Sequence, residues 1–161
     1  MSASTPMILF VCTGNTCRSP MAQAIARDAF INDAAHGTRR ATRVESAGVA
    51  AGPGAPMTRE AQAALQDLGV DPGRHRSQAL TRALIDGATV IYTMTASHRA
   101  RVLEVAPDAA GKVYTLDPSG RDIPDPIGGT LEEYRACAQR LRTLVGERLA
   151  QLNSPSTPAR P

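Results

Sequence analysis

Four short apolar runs alternate with stretches of helical spacing, and this alternation constrains the fold more than any other feature. Residues 7–12 (MILFVC), 42–48 (TRVESAG), 88–94 (ATVIYTM) and 112–116 (KVYTL) read as strands. Between and after them, 21–34, 57–69, 81–85, 96–106 and 130–152 read as helices. Pro20 sits where the first turn of a helix tolerates it. Thr58 and Gly69 bracket the second helix as N-cap and stop. Thr130 and Glu133 match a capping box. Strands that alternate with helices predict an α/β fold in which a parallel sheet is covered by helices on both faces. In such a sheet ligands collect beyond the carboxyl ends of the strands. The loops 12–19 and 117–129 both leave strands at that end, so they can meet.

Size and composition narrow the class. The chain has 161 residues, enough for one domain with a real core. Aromatic residues make up only 3%, so the core has to be aliphatic. The expected division is a flexible segment 1–6, one domain over 7–152 and a Pro- and Ser-rich disordered tail over 153–161. Net charge is +3, and the arginines are scattered along the chain, which argues against a nucleic-acid-binding arm. The apolar start is too short for a signal peptide or a membrane span. Three cysteines, Cys12, Cys17 and Cys137, do not make a disulfide framework and point to a reducing cytoplasm.

The loop after the first strand reads CTGNTCRSP. Backbone N–H groups between a strand and a helix can curl around an anion, and the helix N-terminus adds positive potential. Gly14 is expected to supply an unusual backbone conformation, and Asn15 tolerates a left-handed one. Arg18 offers a two-pronged donor to oxyanion oxygens. Cys12 lies at the base of this cradle, where a cation and a helix N-terminus are expected to lower its pKa, and Ser19 can donate to its thiolate. The pattern is that of phosphoryl transfer to sulfur. Rival patterns fail: there is no Walker lysine, no C-x-x-C pair and no metal-ligand spacing. Cys17 either packs beneath the loop or traps oxidised Cys12 as a disulfide, which would make the site redox-sensitive.

The run VCTGNTCRSPMAQA resembles the phosphate-binding loop of the low-molecular-weight protein phosphatases. The likeness continues through SAG (46–48), HRSQALT (75–81), Asp125–Pro126 and the last helix. It implies a three-layer sandwich around a four-stranded parallel sheet, the phosphotyrosine phosphatase I-like fold. It also implies hydrolysis of phosphorylated protein side chains with no metal and no cofactor. Cys12 is then the nucleophile, and residues Thr13, Gly14, Asn15, Thr16, Cys17, Arg18 and Ser19 hold the phosphate. Asp125 matches the general acid, which later serves as base for water. Read alone, Asp125–Pro126 is only a turn signal. Asp117–Pro118 is read as such a turn, and Asp122 is left open between orienting Asp125 and doing nothing. Ser46 and His75 match positions that brace Asn15. His36 and His98 read as exposed loop and helix residues.

Substrate choice turns on Thr16 and Ile127. Members acting on phosphotyrosine follow the acid's Asp–Pro with aromatics and carry a bulky aliphatic residue where Thr16 stands. CTGNTCRS and DPIGG resemble the protein-arginine phosphatase branch, with Ile127 in place of a phenylalanine. The expected partners are phosphorylated proteins, with neither nucleic acid nor membrane; the oligomeric state is not predicted. A tyrosine phosphatase remains the alternative. A thiol-dependent arsenate reductase on this scaffold would need further redox cysteines, and beyond the loop pair only Cys137 remains.

Overall fold

The computed structural model describes residues 5–34 and 42–152. Positions 1–4, His36 and the tail 153–161 fall outside the described residues. Four strands, β1 (Met7–Cys12), β2 (Arg43–Gly48), β3 (Val90–Thr93) and β4 (Val113–Thr115), form a parallel sheet in the order β2-β1-β3-β4. Ile8 sits in register with Val44 on one side and Val90 on the other. The helices are α1 (Arg18–Ala34), α2 (Arg59–Asp67), α3 (Arg82–Gly87), α4 (Ala96–Val105) and α5 (Leu131–Leu152). A single 3₁₀ segment, Pro107–Lys112, leads into β4 and has no counterpart in the sequence reading.

All six residues of β1 are buried, and their alternation sorts two cores. Ile8, Phe10 and Cys12 face one side with Met21, Ile25, Leu65, Tyr134 and Leu141 of α1, α2 and α5. Met7, Leu9 and Val11 face the other, against Ile85 of α3 and Val102 of α4. A strand with apolar side chains on both faces has no solvated side, which is why β1 reads as an unbroken apolar run. The strand order reverses direction between β1 and β3. The crevice between their carboxyl ends is therefore the topological switch point, where open α/β sheets take their ligands.

The caps follow the sequence closely. Thr58 Oγ1 accepts from Ala61 N at 3.2 Å. Gly69, at φ 76°, closes α2, with Val70 N donating to Leu65 O. Thr130 Oγ1 accepts from Glu133 N at 3.2 Å. Helix α1 begins three residues before the expected Met21, with Met21 N donating to Cys17 O. Pro20 is its third residue, where the missing N–H is one the first turn leaves unbonded anyway.

Candidate active site

The loop joining β1 to α1 is held in shape by one residue. Asn15 is fully buried and stands at φ 57°, the only non-glycine in the left-handed region among the described residues. Its amide nitrogen donates to Ser19 Oγ at 2.8 Å and to Ser46 Oγ at 2.9 Å. Its oxygen accepts from Gln78 N at 2.9 Å, and its backbone carbonyl accepts from His75 Nε2 at 2.6 Å. Ser46 and His75 thus both contact Asn15, the residue the resemblance has them brace. The proton donated to that carbonyl fixes His75 with hydrogen on Nε2, and burial lowers its pKa. Ser46 in turn donates to Gln23 Oε1 at 2.6 Å. Gln23 and Gln78 complete the frame; both lie within the stretches of family likeness, 11–24 and 75–81, where no residue-level signal sets them apart.

Glycine does a different job here than the sequence suggests. Gly14 is not at positive φ, and a Cβ there would meet only Thr16 Oγ1, at an ordinary contact distance of 3.8 Å. The required glycine is Gly48, at the end of β2. A Cβ on it would strike the Thr13 carbonyl and lie 3.0 Å from Asn15 N. The loop can lie against β2 only because Gly48 has no side chain.

Inside this frame, Cys12 Sγ lies 2.9 Å from Ser19 Oγ and accepts from Asn15 N at 3.3 Å. Because Ser19 Oγ already accepts from Asn15, its own hydrogen is free to point at the sulfur. Burial nonetheless pushes the Cys12 thiol up from its ordinary value, and the Ser19 bonds, the Arg18 charge and Asn15 N pull against it without prevailing. This corrects the sequence expectation of a lowered pKa. A helix terminus and a cation do act on the sulfur, but the thiol is only 2% exposed, and desolvation of the charged form outweighs them.

Arg18 is 4% exposed. It donates from Nη1 to Ile123 O at 2.9 Å and from Nη2 to Thr13 Oγ1 at 3.3 Å, and Nη2 pairs with Asp125 Oδ2 at 3.3 Å. Its Nε finds no partner among the described residues. A buried guanidinium N–H left open is costly, so it marks a place built for an incoming acceptor. Around it opens a cavity of about 230 Å³, lined by Cys12, Thr13, Gly14, Asn15, Thr16, Cys17, Arg18, Asp125 and Ile127. A cavity of about 170 Å³ lies against α1 and His75, and one of about 270 Å³ lies on the other side of Asp125, against α5. What distinguishes the first cavity is that Cys12 and Arg18 meet in it on a single loop, residues 12–18, which lines it together with Asp125.

Asp125 makes the turn contact and also reaches the Cys12 loop. Oδ1 accepts from Ile127 N at 3.1 Å, which is turn chemistry, while Oδ2 faces Arg18. Asp117 is a turn residue as expected: Oδ1 accepts from Ser119 N and Oγ, Oδ2 pairs with Arg140 at 2.8 Å, and these bonds hold its pKa down at about 2. Asp122 does not orient Asp125; its Oδ1 accepts from Ala96 N at the start of α4. Cys17 packs under the loop, 3.4 Å from Tyr134 Oη. The sequence reading of His98 as exposed is overturned: it is 5% exposed, with Nε2 2.8 Å from Thr13 Oγ1. Its position one turn into α4, directly after β3, brings it to the switch-point crevice, a placement that needs the strand order and not just the strand positions.

The fold and this site define a protein phosphatase. Residues 7–157 match the low molecular weight phosphotyrosine protein phosphatase family, and the chain belongs to it. Among its relatives, it is similar to a protein-arginine-phosphatase of Geobacillus stearothermophilus, 41% identical over 148 residues that cover 89% of this chain and 93% of the relative. It is 36% identical to a probable low molecular weight protein-tyrosine-phosphatase, EpsP, of Ralstonia solanacearum, covering 74% of this chain and 77% of that one. In structure it resembles the YwlE arginine phosphatase in a mutant form whose active-site serine is phosphorylated. The TM-score is 0.84 at 32% identity, covering 93% of this chain and 97% of the other. Among the described residues no helix is long and apolar enough to cross a membrane.

Proposed function

We propose that this phosphatase hydrolyses phosphoarginine on proteins through a phosphocysteine. The attacking form of Cys12 Sγ is the thiolate, which Ser19 Oγ and Asn15 N stabilise by donation against the burial that raises its pKa. The phosphoryl oxygens take the loop N–H groups and Arg18, whose open Nε is ready to donate. As the P–N bond breaks, the guanidinium nitrogen receives a proton from Asp125. The Asp125 carboxylate then takes a proton from water, which attacks the phosphocysteine, releases inorganic phosphate and returns the thiolate.

The observation that carries the arginine reading is the composition of the cavity wall. Among the described residues no aromatic ring lines it; Thr16 and Ile127 do, and Ile127 is 59% exposed. A phenyl ring gains its binding from apolar and aromatic walls. A phosphoguanidinium instead presents planar N–H donors, which the Thr16 hydroxyl and the Asp125 carboxylate can accept. The similarity to arginine phosphatases supports the same choice. The assay compares matched phosphoarginine and phosphotyrosine peptides by kcat/KM. Preference for phosphoarginine is expected, and Thr16→Ile should cut that preference about tenfold, the scale of one altered pocket contact. A wild-type preference for phosphotyrosine would give the function to the tyrosine alternative.

A further inference from the structure

His98 is a buried, polar side chain at the switch point that the chemistry above leaves unused. Its Nε2 lies 2.8 Å from Thr13 Oγ1, and that oxygen also accepts from Arg18 Nη2 at 3.3 Å. Arg18 Nη2 continues to Asp125 Oδ2 at 3.3 Å. Four side chains, from the β1–α1 junction, α4 and the loop after β4, are thereby linked in one chain, and the link from β1 to the β3–α4 unit runs through His98. The Thr13 side chain is exposed and lines the cavity beside Cys12, so its hydroxyl is the member that faces an incoming phosphoryl group.

The proton count decides what that hydroxyl can do. Arg18 can only donate, so Thr13 Oγ1 is an acceptor toward it. His98 Nδ1 is buried without a partner among the described residues. A hydrogen on Nδ1 would leave a buried N–H orphaned; a hydrogen on Nε2 leaves only a bare lone pair, the lesser penalty. His98 therefore donates from Nε2, and Thr13 Oγ1 accepts from both neighbours. Its own hydrogen is then uncommitted, as the Arg18 Nε N–H is, and is left to point into the cavity. Burial first, and the Arg18 charge second, push the His98 pKa down to about 4, so the ring stays neutral near pH 7.

We propose that His98 is a positioning residue that aims the Thr13 hydroxyl at the phosphoryl group and, through it, steadies the Arg18 guanidinium. Thr13 then serves the phosphate with a side-chain donor in addition to its backbone. The inference rests on the phosphocysteine chemistry proposed above but not on the arginine preference, so it is tested with an aryl phosphate and with vanadate as the oxyanion probe.

Thr13→Val removes the hydroxyl and keeps the shape; His98→Phe removes the ring nitrogens. Each should lower kcat/KM by roughly 10- to 100-fold and weaken vanadate inhibition in parallel, as misplaced positioning groups do. The double variant should be no worse than the more severe single one, because both break the same chain. Thr13→Ser and His98→Gln, which keep the hydroxyl and a donor, should recover most of the loss. Thr13 is exposed, so its variants fold whatever becomes of His98→Phe, and they decide the matter alone if that variant does not. Wild-type kinetics in Thr13→Val, or additive losses in the double variant, would overturn the inference. Activity retained in Cys12→Ser would instead overturn the phosphocysteine reading beneath it.

Discussion

The two loops that meet over Arg18 are built on opposite plans. Within residues 12–19, Cys12, Asn15, Cys17, Arg18 and Ser19 are buried, and Asn15 ties the loop to Ser46, His75 and Gln78. The loop after β4 is anchored early: Asp117 pairs with Arg140, Asp122 caps α4, and Ile123 binds Met94 and Arg18. From Pro124 onward it is mostly exposed; the Asp125 side chain is 39% exposed and Ile127 more so. The fixed element meets the part common to all phosphorylated substrates. The open element meets the part that differs between them, and it carries the proton to a leaving group whose position varies.

Breaking each loop at its reactive atom separates the two plans most sharply. Cys12→Ser removes the covalent route and should lower kcat by roughly 10⁴- to 10⁶-fold, the scale of losing a nucleophile. Asp125→Asn should cost about 10²- to 10⁴-fold, since general acid–base help is worth that much. Its deficit should shrink with a substrate whose leaving group needs no proton, while the Cys12→Ser deficit should not. Steady-state rates on a phosphopeptide and on an activated aryl phosphate check both expectations. An Asp125→Asn loss independent of the leaving group would remove the proton-donor role from this loop.

Rigidity can be tested apart from chemistry. Asn15→Ala deletes three side-chain hydrogen bonds and places an ordinary residue at φ 57°. The left-handed backbone costs about 1–2 kcal/mol, and the orphaned Gln78 N–H adds about 1–3 kcal/mol. A total loss of about 2–5 kcal/mol, measured from urea midpoints, is expected. Asp125→Asn leaves the fold's stability nearly unchanged on the same measurement, because its ion pair is partly solvated. Equal stability of the two variants would erase the distinction between the loops.

How much of this was legible in advance follows the same division. Local chemistry was readable: the strands, the Thr58 and Thr130 caps, the left-handed Asn15 and the Asp117 turn each follow from residue types at short spacing. Family likeness added Ser46 and His75, which no local signal distinguishes. What stayed hidden depends on atoms brought together from far apart. Gly48 matters because the Thr13 carbonyl passes over it, Gln78 because its N–H reaches Asn15, and His98 because the sheet order sets β3 beside β1. The raised Cys12 pKa belongs to this group too. Sequence displays the nearby charges, whereas the burial that outweighs them is a property of the folded core.

Acid should loosen the two loops in sequence, through groups of opposite kind. His98 and His75 both have folded pKa values below the ordinary 6.5, the former about 4. Between those values the unfolded chain binds protons that the folded chain does not, so stability falls as the pH drops from 6.5 toward 4. For His98 the loss between pH 7 and pH 5 is about 1–2 kcal/mol. Asp117 behaves differently: its folded value of about 2 lies below the ordinary 3.8, so its contribution is intact at pH 5 and is lost only as pH falls from about 3.8 through 2. The cysteine loop, which His98 and His75 touch, therefore loses support first, and the acid loop held by Asp117 loses it last. Urea midpoints across pH 7 to 3 should show the first limb partly flattened in His98→Gln and unchanged in Asp117→Asn. If Asp117→Asn flattened the limb above pH 4 instead, the assignment of that limb to the cysteine-loop histidines would be wrong.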